Sequence, residues 1–577
     1  MDDGARPTRH QRTTNRMSKK ILKVSALVIA TIAMLVLGLQ LLGGWTGLAL
    51  LYVRHVMSKE SAPFREVSWQ QGPPASSSPA GSTASQRPNV LLIVVDDLGY
   101  ADLSAFGGGV EGGRVPTPNI DSLAQRGVSF DAAYSGNPTC APSRAAIMTG
   151  RYPTRFGFEF TPTPSLFMKL IARAGERQGG SAPPVYFADR EAGQPAYEDM
   201  GLPTSEVTIA KVLQSAGYHT THIGKWHLGD GPKFRSYAHG FDESLSLQHG
   251  ASMYLPSADP RVVTVEPEYN IIDKFILANQ PWGVRFNDGE VFKPDRYLTD
   301  YFTDQAIRVI DANQHRPFFL YLAYNAPHTP LQATREDYDT LSFIKDHDVR
   351  VYAAMLRSLD RNIGRVLAAL RERGLEDNTL VIFTSDNGAP HYTGLGARNA
   401  PLRGWKATYF EGGIRVPLFL QWPAALPQNA RRVGPAAHFD IFSTIVAATG
   451  VTAPGDRVID GVDLLPYARG DITGKPHESL FWRTNRYLTL LDGDWKLQLT
   501  EMPPKAWLYN LALDPGEKNN LVTNEAVRVA AMRSRLMAFD RAQGAPIWQS
   551  LAAVAVPLDR TVAEPPRAGE EYVYFSN

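Results

Sequence analysis

The single cysteine of this 577-residue chain lies in a segment suited to holding an oxyanion. Cys140 begins the run Cys-Ala-Pro-Ser-Arg-Ala-Ala-Ile-Met-Thr-Gly-Arg, residues 140–151. Pro142 suits the first turn of a helix and Gly150 suits its end, so we predict a helix with Cys140 at its N-terminus. Free N–H groups and the helix dipole favour an anion there, and Arg144 adds a bidentate donor for a tetrahedral oxyanion. An inert core cysteine, the alternative, is unusual in this environment.

Polar residues follow four predicted strands where their apolar runs end. The runs are residues 90–95, 380–383, 318–322 and 220–224. The polar residues after them are, in the same order, Asp96 and Asp97, Asp386 and Asn387, His328, and Lys225 with His227. Each one alone has a structural alternative, such as a turn, a helix cap or a satisfied core histidine. Because strand and helix patterns alternate, we expect a mostly parallel α/β sheet that brings these residues to one rim.

A cation is expected among the carboxylates at this rim. Three carboxylates in one pocket would repel each other unless a cation neutralised them. The candidate ligands offer only oxygen, which suits Ca²⁺, with Mg²⁺ as the alternative, and the absence of further cysteines argues against zinc. These ligands are Asp96, Asp97, Asp386 and Asn387.

The composition excludes several classes of protein. Hydrophobic residues make up 44% and charged residues 20%, which is typical of a globular chain with a large core. Lys and Arg number 59 against 58 Asp and Glu, so the charge gives no sign of nucleic-acid binding. One cysteine excludes an internal disulfide and any multi-cysteine zinc or iron–sulfur site.

The N-terminal region predicts a membrane anchor. Residues 1–23 form a basic tail, and residues 24–53 carry no formal charge, which is long enough for an uncleaved transmembrane signal-anchor. A cleaved signal peptide is the alternative. The positive-inside rule places the tail in the cytoplasm and the rest outside, and residues 54–87 predict a flexible Pro/Ser-rich linker. The lack of an Asn-x-Ser/Thr sequon favours a bacterial periplasm over a eukaryotic secretory lumen.

Cys-x-Pro-Ser-Arg followed by Thr-Gly-Arg resembles the signature of the type I sulfatases, in the alkaline phosphatase superfamily. Further stretches match that family in order: Asp-Asp-Leu-Gly (96–99), Thr-Pro-Asn-Ile-Asp (117–121), Gly-Lys-Trp-His-Leu-Gly (224–229), Ala-Pro-His (326–328), Ser-Asp-Asn-Gly (385–388) and Glu-Gly-Gly-Ile-Arg-Val-Pro (411–417). The resemblance covers about residues 88–525. It implies a large, mostly parallel mixed sheet flanked by helices over residues 88–451, the catalytic domain. A smaller antiparallel sheet plus helix is expected over residues 452–550, and the tail 551–577 is assigned no structure.

The resemblance also implies the chemistry. Cys140 would be oxidised to formylglycine by a formylglycine-generating enzyme, and the hydrated aldehyde would attack the sulfur of a small-molecule or saccharide sulfate ester. The four oxygen ligands and the modified Cys140 would hold Ca²⁺, and Arg144 would steady the hydrated aldehyde. Lys225, His328 and Lys406 would bind sulfate oxygens, with His328 or Lys406 protonating the leaving oxygen. His227 would take the proton from the gem-diol.

Three alternative functions remain open at this stage. One is a formylglycine-dependent phosphonate or phosphodiester hydrolase of the same superfamily. A second is an inactive, membrane-tethered binding protein with the sulfatase fold. A transferase acting on envelope lipids is a third, disfavoured by the single predicted span. Residues 154–199 are expected to shape substrate choice, and they identify neither a sugar nor an aryl ring.

Overall fold

The computed structural model describes residues 61–74, 87–177, 182–266, 270–279 and 281–576. The predicted tail 1–23, the predicted anchor 24–53 and much of the predicted linker lie outside these residues. Within the described part of the chain, none of the helices is long and apolar enough to cross a membrane.

The strands of the described residues are β1 Asn89–Val95, β2 Val128–Tyr134, β3 Val185–Tyr186, β4 His219–Gly224, β5 Glu243–Leu247, β6 Val262–Thr264, β7 Val284–Phe286, β8 Val291–Phe292, β9 Phe318–Ala323, β10 Gln332–Thr334, β11 Thr379–Ser385, β12 Arg415–Val416, β13 Leu418–Gln421, β14 Ala430–Ala437, β15 Ser479–Thr484, β16 Tyr487–Asp492, β17 Trp495–Glu501, β18 Pro504–Asn510, β19 Ala552–Pro557 and β20 Tyr572–Ser576. The helices are α1 Pro118–Gln125, α2 Cys140–Thr149, α3 Ser165–Arg177, α4 Ile209–Ser215, α5 Ile271–Asn279, α6 Leu298–Ala312, α7 Arg335–Thr340, α8 His347–Glu372, α9 Glu411–Ile414, α10 Asp440–Thr449, α11 Leu465–Arg469 and α12 Ala526–Arg541.

The main sheet has eleven strands, in the order β12-β2-β13-β11-β1-β9-β4-β5-β7-β8, with β14 also paired to β2. The central strands β11, β1, β9, β4 and β5 run parallel, whereas β13, β12, β7 and β8 pair antiparallel. Val95 pairs with Ser385 and Val94 with Ala323, so three central strands end at one edge. The expected α/β fold with a mixed sheet is confirmed.

Both faces of this sheet are covered, as the continuous apolar runs predict. In β1, Leu91, Ile93 and Val95 pack into a core shared with α6 and α8. The alternate residues of β1 pack into a second core with α2, α4 and α10. Because side chains alternate along a strand, the same seven residues hold helices on both sides of the sheet.

A second sheet, β15-β16-β17-β18, is fully antiparallel, and α12 packs on it through Met532 and Leu536. This is the expected C-terminal sheet plus helix. Its other face joins a core with the main sheet, in which Trp482 stacks edge-on against Tyr134 of β2. The two sheets therefore belong to one compact unit, residues 60–577.

The C-terminal tail differs from the sequence expectation. The sequence assigns no structure to residues 551–577, yet β19 and β20 pair there with each other and with β3 in a three-stranded sheet. Val556, Val573 and Phe575 of this sheet are buried. The sequence left this sheet unassigned because β19 finds one of its partners, β3, in a distant part of the chain, which no local pattern indicates.

The linker prediction is also wrong for residues 61–74. Val67 and Trp69 are buried in the main core, and the Trp69 indole donates to Gln305 Oε1 at 2.9 Å. Ala62 forms a parallel bridge with Phe292 of β8. Two apolar side chains in this polar stretch are enough to seat it on the domain, which overrides its loop-like composition.

Candidate active site

The rim predicted from the strand ends is present in the structure. Asp96 and Asp97 come directly after β1, and Asp386 and Asn387 directly after β11, its parallel neighbour. Lys225 follows β4, and β9 between β1 and β4 leads to the turn that carries His328. These six side chains are buried, so the rim lies within the protein and not on its surface.

Cys140 is the first residue of α2, as predicted, and it is buried among the charged groups of the rim. Its Sγ lies 3.5 Å from Asp96 Oδ1 and 3.9 Å from Asp97 Oδ1. Lys406, from the loop before α9, donates to Sγ at 3.1 Å. Burial raises the pKa of the Cys140 thiol, so the unmodified side chain is a neutral thiol and a poor nucleophile.

The buried carboxylates are held in different charge environments. Burial raises the pKa of Asp96 to about 7, although Lys225 Nζ, 2.5 Å from Oδ2, lowers it. Burial also disfavours the charged form of Asp97, but the Lys406 ammonium holds its pKa below its ordinary value. Lys406 Nζ lies 2.7 Å from Asp97 Oδ1 and 2.9 Å from Oδ2. Asp96 and Asp97 thus each pair with a different lysine.

Arg144 ties two strand ends together. It is fully buried, and its Nε and Nη2 contact Asp386 Oδ2 at 2.9 and 2.8 Å. Its Nη1 donates to the carbonyl of Lys225 at 2.8 Å. Burial disfavours the charged form of Asp386, yet Arg144 keeps the pKa of that carboxyl below its ordinary value. One guanidinium therefore orients the loops after β11 and β4 against α2.

The structure brings together donor atoms that could hold a metal ion. Ligand atoms of Asp96, Asp97, Cys140 and His328 all lie within 4.8 Å of one another. Asn387 donates through Nδ2 to Asp97 Oδ1 at 2.7 Å, and its Oδ1 is buried without a hydrogen-bond partner. A buried carbonyl oxygen with nothing to accept is costly, and a cation beside the carboxylates would satisfy it. Asp386 is not in the group of four, since Arg144 engages its Oδ2.

Two buried histidines flank the site in neutral form. Burial lowers the pKa of His328 to about 3 and that of His227 well below its ordinary value. His328 Nδ1 lies 2.6 Å from the carbonyl of Thr329, so this nitrogen carries the hydrogen and leaves Nε2, 3.6 Å from Asp97 Oδ2, as an acceptor. His227 has a φ of 61°, and its ring lies where a Cβ on Gly250 would be, 2.1 Å from Cδ2.

Sequence reasoning missed Tyr392. Its hydroxyl donates to Asp97 Oδ2 at 3.1 Å and accepts from Lys406 Nζ at 3.3 Å. The neighbouring His391 is buried against the C-terminal segment, where Val562 N donates to its carbonyl. No local signal marks the tyrosine, because only the folded loop shows which of two adjacent side chains points to the rim.

Two tryptophans next to the site lysines serve as packing groups. Trp226 is buried and donates from its indole to the carbonyl of Phe234 at 2.8 Å. Trp405 packs in the core between the two sheets. Their position beside Lys225 and Lys406 therefore anchors the lysine backbones.

Comparisons with known proteins identify the family to which this chain is similar. A family model described as Sulfatase matches residues 88–451. The chain is 34% identical over 423 residues to the N-acetylgalactosamine-6-sulfatase of Sus scrofa, covering 72% of each protein. It is 33% identical over 473 residues to the steryl-sulfatase of Mus musculus, covering 72% of the chain and 70% of that protein. The solved structure of Ps i-CgsB superimposes with a TM-score of 0.66 at 32% identity, over 80% of this chain and 95% of that one.

Proposed function

We propose a mechanism for this protein from the premise that the chain belongs to the sulfatase family and is a sulfatase. The carrying observation is the position of Cys140, the sole cysteine, at the N-terminus of α2 with its Sγ 3.1 Å from Lys406 Nζ. Oxidation of this residue to formylglycine by a formylglycine-generating enzyme would place an aldehyde beside Asp96, Asp97 and Lys406. That position suits a nucleophile that must meet an anionic sulfate ester.

The reaction then runs in two steps. One hydroxyl of the hydrated residue 140 attacks sulfur, the S–O bond to the substrate alcohol breaks, and the alcohol leaves with a proton. The sulfate is now an ester of residue 140. The second hydroxyl loses its proton, the carbonyl re-forms and the C–O bond to sulfate breaks, so sulfate leaves and the aldehyde returns. A serine at this position would lack that second hydroxyl.

Three cationic or polar side chains are proposed to bind the sulfate. Lys225 pairs with Asp96 and Lys406 pairs with Asp97. His328 Nε2 lies 3.6 Å from Asp97 Oδ2. The two ammonium groups are fixed donors that stabilise charge on the sulfate oxygens without reorganisation during the reaction, and His328 would donate from Nε2 once it takes up a proton there. Lys406, or His328 after it takes up a proton at Nε2, would protonate the leaving oxygen, and neutral His227 would accept the gem-diol proton. Arg144 would hold the loops after β11 and β4 in position through its contacts with Asp386 and the Lys225 carbonyl.

A Ca²⁺ ion, with Mg²⁺ as the alternative, is proposed among Asp96, Asp97, Asp386, Asn387 and residue 140. When bound, it would neutralise the carboxylates and orient a sulfate oxygen. The unsatisfied Asn387 Oδ1 and the clustered carboxylate oxygens support this assignment.

The substrate is proposed to be a carbohydrate or aryl sulfate. The name of one relative, N-acetylgalactosamine-6-sulfatase, points to the carbohydrate class, and the name steryl-sulfatase shows that a relative acts on the sulfate of a fused-ring alcohol. The structure of Ps i-CgsB has also been solved in complex with k-i-k-neocarrahexaose. A panel of sulfated sugars and aryl sulfates, assayed by sulfate release, would separate the two classes.

Membrane anchoring and export also belong to the proposal. They rest on the uncharged run 24–53 and the basic residues before it, which lie outside the described structure. Fractionation of the producing cell should find the full chain in the membrane, and a protease added from outside should reach the catalytic domain. Recovery in the soluble fraction would contradict this.

Mass spectrometry of the peptide that contains residue 140 tests the nucleophile. Conversion to formylglycine lowers the peptide mass by about 18 Da. The Cys140→Ala variant should fold with an unchanged melting temperature and lose nearly all turnover of 4-nitrophenyl sulfate. An unmodified thiol in active wild-type protein would refute the mechanism. Faster turnover of an aryl phosphodiester than of the aryl sulfate would favour the phosphodiester hydrolase alternative.

A further inference from the structure

Tyr392 joins the two groups that flank residue 140. Its hydroxyl donates to Asp97 Oδ2 at 3.1 Å and accepts from Lys406 Nζ at 3.3 Å. The residue is partly exposed, and its hydroxyl points to the rim. Neither the family signature nor the proposed mechanism assigns this residue a role.

Lys406 depends on such contacts because no regular element holds it. It lies in a turn before α9, and a lysine stem has several freely rotating bonds. An ammonium has three hydrogens. In the structure their partners are Asp97, Cys140 Sγ and the Tyr392 hydroxyl. The tyrosine is the one uncharged partner that is not itself a proposed ligand or nucleophile, so it orients Lys406 without competing for the sulfate.

The C-terminal segment holds Tyr392 in place. Tyr392 lies in a short 3₁₀ turn, His391–Thr393, that ends at Gly394 with a φ of 77°. Val562 N donates to the His391 carbonyl at 3.3 Å, and Thr561 Oγ1 donates to the Gly394 carbonyl at 3.3 Å. Both sides of the turn are therefore fixed by the connection between β19 and β20.

We propose that Tyr392 is a positioning residue that holds the Lys406 ammonium against residue 140 and the incoming sulfate. This inference rests on the proposed role of Lys406. It also gives the strands after residue 551 a function, because they fix the turn that presents the tyrosine.

A double-mutant cycle tests the proposal on the full chain, with Tyr392→Phe, Lys406→Met and both changes together. A hydrogen bond to a charged group predicts that Tyr392→Phe lowers kcat/KM for 4-nitrophenyl sulfate about tenfold. Lys406→Met removes an oxyanion donor and should cost about 100-fold. In the Lys406→Met background, Tyr392→Phe should change kcat/KM by less than about twofold. The inhibition constant of inorganic sulfate, which does not depend on the fraction of folded enzyme, should rise about tenfold in Tyr392→Phe.

Tyr338→Phe is the matched control, since its hydroxyl contacts His347 Nδ1 at 3.0 Å on the protein surface. It should leave both constants unchanged. A full tenfold loss in both backgrounds, or no loss in either, would overturn the proposal. Loss of activity that added CaCl₂ restores would also overturn it, by assigning the tyrosine to Asp97 and the cation. A wild-type protein that is inactive or unmodified at residue 140 refutes the proposed function instead.

Discussion

Lys496 is the most informative residue for testing how the two sheets are joined. It lies on β17 with its side chain fully buried, 2.8 Å from Glu411 Oε1 and 3.0 Å from Glu517 Oε1. Burial raises the pKa of Glu517 to about 7, with Lys496 lowering it and Glu411 raising it. We expect Lys496→Met, which keeps most of the stem volume, to leave Glu517 without a cation and Glu411 with only Arg415, 3.4 Å from its Oε2.

The size of the effect follows from that burial. Removing one partner of a buried ion pair costs about 3–5 kcal/mol in unfolding free energy, because the remaining charge is uncompensated. In the variant the folded-state pKa of Glu517 would rise further above its ordinary value because Lys496 no longer lowers it, so the folded protein binds more protons than the unfolded chain. Stability of the variant should therefore fall as pH rises from about 5 to about 8.

Urea unfolding followed by tryptophan fluorescence at pH 7.5 measures the change. Lys475→Met is the control, because Lys475 and Asp494 form an exposed pair at 3.1 Å that should contribute less than about 1 kcal/mol. Adding Glu517→Gln to Lys496→Met should recover part of the loss. A change below about 1 kcal/mol for Lys496→Met, or no recovery in the double variant, would refute the reasoning.

The remaining predictions concern three other sites. Burial raises the pKa of Asp273 to about 7, so ionising this carboxyl lowers the free energy of unfolding as pH rises from about 4 to about 7. In urea unfolding, Asp273→Asn should therefore raise the free energy of unfolding relative to wild type by about 2–3 kcal/mol more at pH 8 than at pH 5. An equal difference at both pH values would contradict this. Trp69→Ala should lower the free energy of unfolding by about 3–5 kcal/mol. In calorimetry, a chain that starts at residue 87 should melt at a clearly lower temperature than one that starts at residue 60. Equal melting temperatures would argue against packing of residues 61–74 on the domain. Asn387→Ala should weaken Ca²⁺ affinity, read by isothermal titration, about 10-fold or more with little change in fold; unchanged affinity would remove Asn387 from the ligand set.

Local patterns in the sequence were sufficient for the elements that carry the site. The helix predicted from Pro142 and Gly150 begins at Cys140 and ends before Gly150, whose φ of 69° is left-handed. The apolar run of β1 is buried on both faces and ends at Asp96. These features depend on residues within one or two turns or on alternation along a strand, so the chain itself specifies them.

Contacts between distant segments were decided only by packing. Tyr392 and Lys406 reach Asp97 from one long loop, and a neighbour, His391, turns away towards the C-terminal segment. The pairing of β19 with β3 and the burial of Trp69 likewise arise between parts of the chain far apart in sequence.

The sequence by itself determined which residues could carry the chemistry, because local periodicity and the types of the residues that follow predict where helices and strands end. Tertiary structure decided how those residues divide the work. It gave each of Asp96 and Asp97 its own lysine, turned Asp386 to Arg144, and left Asn387 Oδ1 without a hydrogen-bond partner. The physical reason is that a side chain's partners in a buried site are set by which surfaces pack together, and packing sums many weak contacts over the whole domain.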